Sequence, residues 1–102
     1  MLLVPIKNIP NQVFSITLNG VGYRIMLRTI QELTFMSVWV NNEALFYNQI
    51  CTPNNWVNQY NYISVNGKFY FYSLDEEYPN YKKFGVTQAL YFLTPEEVNE
   101  KA

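Results

Sequence analysis

At 102 residues the chain is the size of one domain, taken as 1–102, and its 49% apolar and 18% aromatic content excludes a disordered polypeptide. Charged residues reach only 15%, below the usual quarter, which favours a surface that associates with other proteins. A net charge of −1, with no run of Lys or Arg beyond two, leaves no footprint for nucleic acid, and the absence of histidine removes the commonest general base and metal ligand.

The opening "MLLVPIKNIP" has a four-residue apolar run broken by Pro5. That is too short for a signal peptide or a membrane span, so synthesis in the cytoplasm without membrane insertion is expected. "VFSITLNGVGYRIMLRTI" then reads as a hairpin. With Asn19-Gly20 as a two-residue loop, Leu18 opposes Val21, Ile16 opposes Tyr23 and Phe14 opposes Ile25. This register gathers the apolar residues on one face, extended by Leu27, and puts Ser15, Thr17, Arg24 and Arg28 on the other. "LTFMSVWVNNEALFYNQI" repeats the pattern around Asn41-Asn42, opposing Val38 to Leu45 and Met36 to Tyr47. "CTPNNWVNQYN" reads as a polar loop carrying Trp56.

A third hairpin, "YISVNGKFYFYSL", turns at Asn66-Gly67. Its second strand is aromatic on both faces, Phe69 and Phe71 on one and Tyr70 and Tyr72 on the other. Such a strand is either covered twice or lies against another subunit. "EYPNYKKFGVTQALYFL" begins as a corner at Pro79 and Gly85 and ends as a strand. In "TPEEVNEKA", Thr94 and Glu97 form a capping box for a short helical turn, with Pro95 at its first position. About seven short strands with this spacing predict an all-β fold, an antiparallel β-sandwich or small barrel with a C-terminal helical turn.

The chemistry available is limited. Cys51 has no histidine to pair with and reads as a structural or buried thiol. Asp75, Glu76 and Glu77 form the only carboxylate cluster, but they match no calcium loop and read as a solvated turn. No catalytic, cofactor or metal site is expected. Aromatic side chains are what remains for function, as core or as contact surface. The interface candidates are Trp56, Tyr60, Tyr78, Tyr81, Lys82, Lys83 and Phe84. Tyr78, Tyr81 and Phe84 are expected to pack over the corner, with Lys82 and Lys83 left outside for a partner's carboxylates. A rival reading is a carbohydrate-binding β-sandwich stacking sugars on Trp56, Tyr60 and Tyr62.

Two separated stretches carry a resemblance. "IPNQVFSITLNGVGYRIMLR" resembles the opening of the small phage baseplate plug proteins, with a Pro-Asn-Gln lead-in and an F-S-I/V-T-L-x-G hairpin ending in an Arg-bearing strand. "DEEYPNYKKFGVTQALYFL" is similar to that family's closing segment, an acidic turn, a Pro followed by an aromatic, F-G-x-T and a terminal strand. Residues 33–61 carry little of it. The resemblance implies a non-catalytic virion component of a contractile-tail phage, made in the bacterial cytoplasm. It would sit in several copies at the baseplate hub near the tube end, sealing a position among hub and tail-tube proteins.

Overall fold

The computed structural model describes residues 2–57 and 67–97. Eight strands lie within them: β1 (Leu2–Val4), β2 (Gln12–Leu18), β3 (Val21–Ile30), β4 (Leu33–Val40), β5 (Glu43–Ile50), β6 (Asn55–Trp56), β7 (Lys68–Ser73) and β8 (Gln88–Leu93). They form two antiparallel four-stranded sheets, β2-β3-β4-β5 and β1-β8-β7-β6, packed as a sandwich. None of the described helices is long and apolar enough to cross a membrane.

The first hairpin has the register that the apolar pattern dictates, Leu18 opposite Val21 through Phe14 opposite Ile25. Asn19 and Gly20 take φ of 51° and 81°, as a loop with the hand of the strand twist requires. Tyr23, Ile25 and Leu27 are buried, while Ser15, Thr17, Arg24 and Arg28 are exposed. The second hairpin turns at Asn41-Asn42 as expected, both at positive φ. Its register departs from the simple count. Trp39 faces Ala44, but Val38 faces Phe46 and Met36 faces Gln49, because two irregularities absorb extra residues on β5. Asn48, at φ 49°, donates its backbone N–H to the Ser37 hydroxyl at 2.9 Å, satisfying a group the ladder has lost. The shift brings Phe46 into the core.

Trp56 lies in the short strand β6 rather than in a polar loop, and pairs with Tyr70 on β7. The first strand of the expected third hairpin and its Asn66 lie outside the described residues, as do Tyr60 and Tyr62. Residues 95–97 are helical, and Glu97 Oε1 accepts from the Thr94 N–H at 3.0 Å and hydroxyl at 3.2 Å, the carboxylate-to-N-cap contact of the capping box that the T-x-x-E spacing predicts.

Between the sheets, aromatic rings dominate. Tyr23 meets Phe69 edge-on at 5.7 Å and Phe92 at 5.6 Å, Phe69 meets Phe92 at 5.2 Å, and Phe46 reaches Phe69 at 6.4 Å. Tyr23 and Phe46 come from one sheet, Phe69 and Phe92 from the other, so these contacts join the layers. Each such pair contributes about 0.5–1.5 kcal/mol beyond the area it buries.

A tied corner and an apolar sheet face

The segment from Tyr78 to Gly85 is held from four directions. Thr34 on β4 is buried and donates its hydroxyl to the Pro79 carbonyl at 2.8 Å. The Asn80 side chain donates to the Glu32 carboxylate at 2.8 Å in the β3-β4 turn, and accepts from the Lys82 N–H at 3.1 Å. Asn8, in the lead-in between β1 and β2, donates to the Phe84 carbonyl at 2.6 Å. Gln88 on β8 completes the set. Its buried amide donates toward the Tyr78 carbonyl at 3.1 Å and the Glu77 carbonyl at 3.3 Å, and accepts from the Asn80 N–H at 2.9 Å. Gly85, at φ 77°, closes the corner in a conformation that disfavours side chains.

The corner's aromatic residues divide. Phe84 is buried against Phe71, with ring centroids 5.6 Å apart, so it belongs to the core and is unavailable as a contact. Tyr81 is half-buried against the core, and Tyr78 is 53% exposed. The lysines divide too. Lys82 is exposed, its ammonium 5.8 Å from the Tyr81 ring centre. Lys83 turns back to this chain's own acidic residues, reaching Asp75 Oδ2 at 3.3 Å and pairing with Glu77. The expectation that both lysines stand free is therefore corrected for Lys83, because an acidic pair lies within its reach. Asp75, Glu76 and Glu77 lie exposed in the turn after β7, as expected, and Asp75 and Glu77 are the partners of Lys83 there. Partial desolvation pushes the Asp75 carboxyl upward, but hydrogen bonds from Lys83 and Ser73, with the Lys83 charge, outweigh it and hold the group below its ordinary value. Burial alone pushes the Cys51 thiol far above its ordinary value, so a buried, unreactive thiol fits it.

Sequence reasoning missed the outer face of the β1-β8-β7-β6 sheet. Phe69 and Phe71 point inward, so Tyr70 and Tyr72 point outward, and the ladder places Leu3, Tyr91, Tyr70 and Trp56 in one row across four strands. Beside that row lie Tyr72, Leu74 and Val86, which with Leu3 line a shallow depression. Leu3 is 59% exposed, Leu74 65% and Val86 76%. The signal was present in the double aromatic face of β7; its neighbours could be identified only from the order β1-β8-β7-β6. Trp56 is half-buried at the row's end, meeting the Tyr70 ring at 80° and 5.3 Å with Lys68 Nζ 5.6 Å from its centre. Those contacts already engage the indole, and nothing favours a sugar-stacking platform.

A sandwich whose polar side chains tie its own corner, and whose exposed sheet face is apolar, defines a small all-β protein without a built catalytic or ligand site among the described residues. Residues 1–96 match the family described as the cyanophage baseplate Pam3 plug gp18. The chain belongs to this family of phage baseplate plug proteins. No curated protein matches it.

Proposed function

We propose that the protein is a non-catalytic component of a contractile phage tail, made in the bacterial cytoplasm and built into the virion. It occupies the central hub of the baseplate near the end of the tail tube and seals that position through contacts with hub and tube proteins, in several copies. Membership of the plug family supports the setting. The observation that carries the mode of action is the outer sheet face, where Leu3, Tyr72, Leu74 and Val86 are exposed together on a chain with few charges. Contiguous apolar surface of this kind is characteristic of a face that is covered on assembly. Tyr78 and Lys82 at the corner, with the half-buried Trp56 and Tyr81, are further candidate contacts.

Complementation of a phage lacking this gene tests the reading. The wild-type chain is expected in purified baseplates, while a Leu74→Asp, Val86→Asp variant folds normally and is left out. Wild-type protein absent from baseplates would overturn the assignment, and normal incorporation of the variant would remove this face from the contact.

A further inference from the structure

The two edges of the β2-β3-β4-β5 sheet are treated differently. β5 carries Glu43 and two register irregularities, and its Asn48 N–H is turned onto a side chain. Charges and bulges of this kind protect an edge from pairing with another chain. β2, "QVFSITL", has no charge, no proline, no glycine and no break in its pairing from Gln12–Leu27 to Leu18–Val21. In a two-residue hairpin the residues flanking the loop exchange hydrogen bonds, and so do alternate residues beyond them. Leu18, Ile16 and Phe14 thus spend their backbone groups on β3, and Val13, Ser15 and Thr17 direct theirs to the open edge. Among the described residues no strand pairs there.

A groove of about 680 Å³ runs beside this edge, walled by Ile6, Lys7, Ile9, Val13, Phe14 and Ile16. The lead-in that forms its far wall is fixed. The Gln12 side chain accepts from the Lys7 N–H at 3.0 Å and donates to the Lys7 carbonyl at 2.8 Å, and Thr29 bonds Pro10 and Asn11. The groove contains a cation, Lys7, and no acidic residue, and Arg24 and Arg28 are exposed on the neighbouring strand.

We infer that the β2 edge is a docking site for an extended segment of another baseplate protein, which adds a strand to this sheet. The segment's backbone pairs with Val13, Ser15 and Thr17, its alternate apolar side chains enter the groove, and a carboxylate meets Lys7. Strand addition supplies affinity through the main chain and specificity through alternate side-chain pockets. A second copy fits poorly, since edge-to-edge pairing would bring Lys7 of both chains to one seam without a carboxylate in either groove. The inference rests on the plug reading above.

Two edge-guarding variants test it in the same complementation assay. Ser15→Pro removes only an outward N–H, and Val13→Lys with Thr17→Lys charges the exposed side of the edge. Both are expected to melt like wild type and to be lost from baseplates, and Lys7→Glu to reduce incorporation. If Ser15→Pro does not fold, the lysine pair decides, together with hydrogen exchange at Val13, Ser15 and Thr17. These amides should exchange quickly in the free protein and slowly in baseplates. Guarded variants that incorporate normally, or amides equally fast in both states, would overturn the edge while leaving the plug reading intact. Wild type absent from baseplates would overturn the plug reading itself. Slow, concentration-dependent exchange in the free protein would name a second copy as the occupant and overturn the partner assignment.

Discussion

A glutamine on the inward face of a strand has to account for two donors and an acceptor away from water. Gln88 shares that face with Leu90 and Phe92, and it accounts for them by serving the corner, binding two carbonyls and the Asn80 N–H. Its period-two position beside apolar residues marks it in the sequence as a group needing partners; which partners it finds depends on the corner's path. Gln88→Leu keeps nearly the same volume but strands those backbone groups. Those groups are partly buried, where each lost hydrogen bond costs about 0.5–1.5 kcal/mol, so a melting temperature lower by roughly 5 °C or more is expected. An unshifted melting curve would mean that water replaces the amide. Asp75 gives a pH signature. Its folded carboxyl lies below the ordinary value of 3.8, so its contribution is present above that value and fades as pH falls through the folded one. Lys83→Gln should therefore flatten the acid-side decline of the melting temperature, and identical pH profiles would show the pair to be idle in solution. Lys83→Glu would set a third carboxylate beside Asp75 and Glu77, so Lys82→Glu is the cleaner probe of contacts at the corner.

Among the elements, the β2-β3 hairpin was legible because two signals agreed: Asn-Gly fixes the loop, and the resulting register puts Phe14, Ile16, Leu18, Val21, Tyr23, Ile25 and Leu27 on one side. Gly20→Val tests it. A Cβ at Gly20 would meet nothing within 4 Å, so the cost is conformational, that of a β-branched residue at φ 81°. A loss of about 1–3 kcal/mol is expected in thermal melts, with Gly20→Asn milder because Asn tolerates this region. Equal melting for all three chains would show that the loop relaxes freely. The β4-β5 turn was legible, its register was not. The shift depends on Ser37 supplying an acceptor for Asn48, a contact between strands that no local count contains. The β3-β4 turn was less visible still. Gln31 and Glu32 take φ of 50° and 67° although neither residue type favours such values, and Asn80, far along the chain, binds both the carbonyl and the carboxylate of Glu32. Of the corner residues expected to pack together, Phe84 is buried while Tyr78 is exposed, and of the two lysines Lys82 is exposed while Lys83 is paired; these differences are set by tertiary neighbours.

For the whole molecule, the strand order has a consequence for how the chain acquires its shape. β2 to β5 form a meander in which every partner is the next strand, so each pairing can form as soon as its second strand exists. The other sheet is assembled from the two extremes, with Val4 opposite Leu90 and Leu2 opposite Phe92. On a ribosome, β1 is made first and paired last. Until β7 and β8 emerge, the meander's apolar face has no layer to meet, and Leu18, Tyr23, Ile25 and Leu27 stay uncovered. Closing so long a loop is not thermodynamically prohibitive, since the cost rises by only about 0.6 kcal/mol for each doubling of length. It is kinetically demanding, because distant pairings bring no reward until the closure is made. The Asn8–Phe84 bond lies at the same junction and locks the first-made segment to one of the last. Closure of β1 onto β8, rather than formation of any single hairpin, therefore sets the moment at which the folded domain comes into existence.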